Sequence, residues 1–320
     1  MLNPPESFSC AAYIREVGRG ARGGRGLSYE DANLVYDAIL ANRVSDLELG
    51  ALLLAYRIKG ETPQELAGML DAVHGAIDYL NCPFATPVVI PSYNGARRRA
   101  NLVPLLALLL SKQGIPVLIH GIASEPGRVS TAEILTELGI QPAPDTRSIE
   151  DALVRSRLAF ASIDVLAPAL AKQLALRTIL GVRNSAHTLA KMLQPFSQPA
   201  LRLVNYTHTA YRDTLADYFS QAGTAGPIGV LLSRGTEGEA VADTELAREA
   251  LWLHGRGKEI AIPATEKEHR DTPVLPENHD ASTTARWIEE VMAGNIPVPR
   301  AIGAQVNAIV RITTREASQQ

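Results

Sequence analysis

The chain has 320 residues, 46% of them hydrophobic and 20% charged, with a formal net charge of −3, which fits a soluble globular protein with a large core or two domains. Its two cysteines, Cys10 and Cys82, are too few for a disulfide framework and do not form a metal-binding pair, and 5% aromatic residues argue against a stacking platform for single strands. The longest apolar run, 102–110, is interrupted by Pro104 and falls short of the roughly 20 residues that a membrane-spanning helix needs; with no secretory signal legible at the N-terminus, a cytoplasmic protein with no membrane role is expected.

Residues 10–80 read as helices. Ser28 followed three residues later by Asp31 resembles a helix start, and Ala32, Val35, Tyr36, Ile39 and Leu40 recur at helical spacing. A second helix follows Ser45 through Leu49, Leu52, Leu53 and Tyr56, and Thr62-Pro63 announces a third. After Asn81 the pattern changes: β-type runs at 87–90, 116–119, 158–163, 201–206, 228–232 and 259–262 alternate with helical stretches at 102–112, 211–221 and 282–293. Strands alternating with helices predict an α/β domain with a largely parallel sheet. The stretch 168–193 reads as helical within this half. The expected domains are a helical one over 1–81, with the helices around 165–195 packing against it, and an α/β one over 82–320.

Positive charge is segregated. Acids outnumber bases 34 to 31, yet 165–212 holds no Asp or Glu while carrying Lys172, Arg177, Arg183, Lys191, Arg202 and Arg212. The stretch 79–124 is also acid-free and contains Arg97, Arg98 and Arg99, and Arg15, Arg19, Arg22 and Arg25 lie among glycines near the N-terminus. Each cluster taken singly reads equally well as a solvated helix face, but three of them suggest a surface for a polyanion. His187 and Lys191 stand one helical turn apart and share a face. Arg97–99 are expected to begin the helix over 102–112, with at least one of them serving as an ordinary ion-pair partner.

The segments Leu27-Ser28-Tyr29-Glu30-Asp31-Ala32, Val44-Ser45-Asp46-Leu47-Glu48-Leu49-Gly50-Ala51 and Arg57-Ile58-Lys59-Gly60-Glu61-Thr62 resemble the helical domain of anthranilate phosphoribosyltransferases. The likeness continues through Gly181-Val182-Arg183 and Leu193-Gln194-Pro195. It implies a small helical N-terminal domain joined to a larger α/β domain of the nucleoside phosphorylase-like fold, phosphoribosyl pyrophosphate bound between them, and a homodimer formed by the helical part. The catalytic motifs depart from the family's. Its Gly-Thr-Gly-Gly-Asp diphosphate loop is Pro91-Ser92-Tyr93-Asn94-Gly95-Ala96-Arg97, and its Lys-His-Gly-Asn-Arg motif is Ile119-His120-Gly121-Ile122-Ala123. Its Asp-Gly-Leu-Asp-Glu metal motif falls on Glu237-Gly238-Glu239-Ala240-Val241. A single glycine does not reproduce the close backbone approach to a diphosphate, and the carboxylate pair that would hold magnesium is replaced by Ala240 and Val241.

The phrases Ile90-Pro91-Ser92-Tyr93-Asn94-Gly95-Ala96-Arg97, Gly181-Val182-Arg183-Asn184-Ser185-Ala186-His187-Thr188-Leu189-Ala190-Lys191 and Gly235-Thr236-Glu237-Gly238-Glu239 are similar to the YbiB-like branch of this superfamily. That resemblance implies a homodimer with the phosphoribosyltransferase fold that binds DNA with little sequence preference. The expected function is therefore sequence-independent nucleic-acid binding through phosphate contacts, to DNA with RNA as an alternative target. The expected contacts are Lys172, Arg177, Arg183 and Lys191, then Arg202, with Arg19, Arg22, Arg97 and Arg98 in support. Ser92, Asn94, Gly95, His120 and Gly121 form a residual ligand pocket, His120 reading more readily as a satisfied core histidine than as a ligand. No catalytic residue, metal or cofactor is assigned. The rival reading is a phosphoribosyltransferase acting on an unidentified acceptor, with magnesium required only in that case.

Overall fold

Local signals place the first helices. Ser28, Ser45 and Thr62 are N-caps in extended backbone whose hydroxyls accept from the N–H groups of Asp31, Glu48 and Glu65. They open α2 (Tyr29–Leu40), α3 (Asp46–Lys59) and α4 (Pro63–Gly75), which follow a short α1 (Ala11–Val17). The computed structural model describes residues 7–20, 23–221, 223–245, 248–264, 274–276 and 278–317. Beyond α4 come β1 (Val88–Ser92), α5 (Val103–Lys112), β2 (Val117–Gly121), α6 (Thr131–Glu137), α7 (Thr146–Ser156), β3 (Leu158–Ser162) and α8 (Ile163–Leu166). Next are α9 (Pro168–Ala175), α10 (Arg177–Leu180) and α11 (Ala186–Met192). The chain then continues with β4 (Leu201–Tyr206), α12 (Thr209–Phe219), β5 (Val230–Arg234), β6 (Ala250–His254), β7 (Gly257–Ile262), α13 (Ala281–Ala293) and α14 (Arg300–Ala317).

The chain divides into two compact units, a helical one of Met1–Asp78 with Ala167–Pro195 and a sheet unit of Tyr79–Leu166 with Phe196–Gln320. In the helical unit α2 packs against α4, and α9 and α11 pack against α2, α4 and each other. The stretch 168–193 is not one helix, as its pattern suggested. It breaks at Leu176, which links α9 to the single turn α10, and again after Gly181, whose φ of +70° closes that turn. Asn184 then starts α11: its Oδ1 accepts from Ala186 N (3.0 Å) while its Nδ2 donates to the Gln173 carbonyl on α9 (2.7 Å).

The sheet unit carries strands in the order β3-β2-β1-β4-β5-β6-β7 among the described residues, parallel from β3 to β5 and antiparallel at β6 and β7. Alternate residues, Val88 and Ile90, Val117 and Ile119, Leu201 and Leu203, share one core with Leu105 and Leu106 of α5, Ile288 of α13 and Ile309 of α14. The order reverses between β1 and β4, so the loops leaving the carboxyl ends of these strands border the position where open α/β sheets form ligand crevices.

Candidate functional site

The first candidate is that edge of the sheet unit. β1 runs into a buried turn, Ser92 to Ala96, in which Gly95 has φ +62°. Gly121, at the end of β2, lies so close to β1 that a Cβ there would meet the Ser92 carbonyl oxygen at 1.8 Å. Ser92 Oγ donates to Thr131 Oγ1 (2.8 Å) and is buried. Tyr93 Oη and His120 Nδ1 lie 2.6 Å apart, with neither ring accessible. Burial pushes the His120 pKa down to about 3 and the Tyr93 phenol well above its usual range, so the neutral imidazole accepts from a protonated tyrosine. His120 is thus a core residue held by Tyr93.

The turn's backbone amides face negative charge. Asn94 N and Gly95 N both donate to Glu239 Oε1 (2.8 and 2.7 Å), and Arg97 N and Arg98 N donate to the Glu237 carboxylate (2.5 Å to Oε2 and 3.0 Å to Oε1). Between them, Ala96 N pairs with the Val129 carbonyl (2.9 Å). The acids come from the turn after β5, where Glu239 N donates to the Thr236 carbonyl (2.9 Å). Glu237 has φ +51° and Gly238 φ +90°. Asn205 Nδ2 holds the Gly238 carbonyl (2.6 Å), and Gln305 of α14 donates to the Ala240 carbonyl (3.2 Å) and accepts from Ala242 N (2.8 Å). Charge-assisted bonds of this kind contribute roughly 1.5–3 kcal/mol each.

These residues do not fit the magnesium and diphosphate implied by the sequence likeness. Ala240 and Val241 are core residues at 2% and 3% exposure, and the two nearby carboxylates are engaged with amides that a diphosphate would need. Glu237 and Glu239 instead accept from the backbone amides of Asn94, Gly95, Arg97 and Arg98. Asn205 and Gln305 went unread because an amide that clamps a turn leaves no motif.

Arg97 and Arg98 are exposed but precede α5 in a bend and do not begin it, because Leu102 is that helix's N-cap. Arg99 is the ion-pair partner of the three, 2.7 Å from Asp243 and 2.8 Å from Glu245. Arg202 must be removed from the contact set. It is 5% exposed, its Nη2 donates to the carbonyls of Thr224 (2.9 Å) and Ala225 (2.8 Å), its guanidinium lies over Phe219, and burial lowers its pKa to about 10. As a central-strand residue pointing under α12, it cannot reach an external phosphate.

The second candidate lies in the helical unit. Lys172 is exposed on α9, and Arg177, Arg183 and Lys191 are partly exposed on α10, on the following turn and on α11. All three of the latter lower the pKa of His187, which falls to about 3, first through burial, then through Arg183, with Arg177 and Lys191 adding to it and a hydrogen bond with the Asn184 backbone opposing. Glu61, largely shielded from water and therefore raised above the usual carboxylate pKa, accepts from Ser185 Oγ (2.5 Å) at the start of α11. Arg19 is exposed and ion-pairs with Glu16 (2.8 Å), and Arg22 lies outside the described residues.

Residues 11–75 match the helical bundle domain of a glycosyl transferase family. Over its fold the chain is similar to anthranilate phosphoribosyltransferase from Thermus thermophilus, with a TM-score of 0.72 and 20% identity over 95% of this chain and 92% of that one. By sequence it is 28% identical to anthranilate phosphoribosyltransferase of Methylocella silvestris over 55% of this chain and 50% of that enzyme. It is 39% identical to the Escherichia coli K12 protein YbiB over 95% of this chain and 94% of YbiB. The chain therefore belongs to the family of YbiB, on an anthranilate phosphoribosyltransferase fold.

Proposed function

We propose that this protein binds nucleic acid without sequence preference, through phosphate contacts made by the helical unit. The observation that carries the reading is the acid-free segment 167–195, which folds as α9, α10 and α11 with Lys172 exposed and Arg177, Arg183 and Lys191 partly exposed. Cations grouped along a stretch of chain neutralise successive phosphates and release condensed counterions, which gives affinity that needs no base contact. Arg97 and Arg98 are supporting candidates in the sheet unit. DNA is the expected target, and RNA offers the same phosphate chemistry.

The protein acts as a homodimer in this reading. One side of α3 presents Leu47, Leu54 and Ile58 at 85%, 46% and 56% exposure, with the exposed Ala51 between them. Their spacing is that of an a/d seam, which favours a partner helix. A dimer doubles the number of phosphate contacts. A phosphoribosyltransferase reading rests on the fold and on partial sequence similarity to anthranilate phosphoribosyltransferases, and a fold hosts many functions.

The test is fluorescence anisotropy of a labelled random-sequence duplex and a single strand across a salt series, with Arg183→Glu/Lys191→Glu alongside. Binding that weakens steeply with salt and is lost in the double variant supports the reading. No binding by the wild type at low salt sinks it and makes phosphoribosyl pyrophosphate with magnesium the next ligand to try.

A further inference from the structure

The amides after β1 are arranged to receive negative charge, and the protein supplies that charge itself. Successive backbone N–H groups at the carboxyl end of a central parallel strand make an anion-binding concavity suited to phosphate. Here Asn94 and Gly95 give their N–H groups to Glu239, and Arg97 and Arg98 give theirs to Glu237. Two carboxylates two residues apart present two anionic groups to one short loop, as a diphosphate does.

The turn that carries them is fixed in place. A Cβ at position 238 would sit 1.6 Å from Asn94 Nδ2, and one at 235 would sit 1.9 Å from the Glu239 carbonyl oxygen, so both glycines are required for this close seating. Asn205 and Gln305 clamp the turn from β4 and α14. The carboxylates therefore need little ordering to stay on the amides, and their attachment to the same chain gives them a high effective concentration against any free anion.

We infer that the 235–239 turn is a built-in surrogate for a diphosphate and keeps the β1 loop closed to phosphorylated ligands. The loop is an anion site with an internal occupant. Glu239 is buried at 1% exposure and Glu237 is only partly covered, so Glu237 is the side chain whose removal opens the site. The inference stands apart from the nucleic-acid reading, whose leading residues lie in the helical unit.

The experiment is isothermal titration of the full chain with inorganic pyrophosphate at low ionic strength. Wild type, Glu237→Ala and Glu237→Ala/Glu239→Gln are compared, and amide shifts are followed by nuclear magnetic resonance. The wild type is expected to show no binding at this loop. Glu237→Ala is expected to bind at least about tenfold more tightly than wild type, with the Arg97 and Arg98 amides shifting, and the double variant to extend the shifts to Asn94 and Gly95. Wild-type binding that shifts these amides overturns the inference, as does a folded Glu237→Ala without gain. If the alanine variant loses cooperative unfolding, Glu237→Gln, which keeps the shape and removes the charge, is read by the same two outcomes.

Discussion

His120 keeps its imidazole neutral at 0% exposure, with a pKa near 3 against an ordinary value of 6.5. The folded protein thus binds this proton more weakly than the unfolded chain does, and acid favours unfolding. The stabilisation is fully present above about pH 6.5 and is lost as pH falls toward 3, at up to about 1.4 kcal/mol per pH unit. Urea unfolding between pH 7 and 5 should show wild-type stability declining and His120→Gln declining less; equal slopes would mean that His120 titrates normally. His187 contributes in the same direction. Arg202 shows the limit of reading charge from sequence at this scale. It lies in the acid-free stretch as plainly as Lys191 does, but strand periodicity turns it inward, and only the contacts with Thr224, Ala225 and Phe219 reveal it as a structural cation.

At the level of elements, the cap of α4 is the most exacting. Glu65 is fully buried, pairs with Lys59 at 2.7 Å and accepts from the N–H groups of Leu27 and Thr62, both at 2.8 Å. Removing one partner leaves Lys59 charged and almost enclosed, so Glu65→Ala should cost about 3–5 kcal/mol, measured by urea unfolding; a cost below about 1 kcal/mol would show that water reaches the pair. If the proposed dimer forms through α3, Leu47→Glu/Leu54→Glu should convert it to a monomer in sedimentation equilibrium without loss of helix by circular dichroism. A variant that stays dimeric places the interface elsewhere. Much of this level was legible in advance. Ser28, Ser45 and Thr62-Pro63 marked their helices because capping is local chemistry. The β-branched and leucine runs marked β1 to β5, because buried parallel strands are apolar along their length. β6, Ala250 to His254, was missed: Trp252 and His254 interrupt a plain aliphatic run, and the strand owes its place to pairing with β5 and β7. The break in 168–193 was missed because a lone glycine at 181 is weak punctuation until its positive φ is seen.

For the whole molecule, the distribution of charge matters more than its sum. A net charge of −3 would repel a polyanion if spread evenly, so the proposed nucleic-acid binding requires the bases of the helical unit to act locally and makes affinity depend on ionic strength. Neutralising Arg183 and Lys191 as alanines should reduce the slope of log affinity against log salt by about two; an unchanged slope would move the contact surface away from α11. The amide loop after β1 was half legible, since the altered motif announced that the glycines were gone, but nothing local said that two glutamates about 140 positions downstream fill it. The helical unit is also discontinuous in the chain, made of Met1–Asp78 and Ala167–Pro195. During synthesis, α2 and α4 emerge well before α9 and α11, the helices that cover them, and the whole of β1 to α8 is translated in between. The helical unit therefore closes only once Pro195 has emerged, and until then α2 and α4 wait with the faces that α9 and α11 later cover.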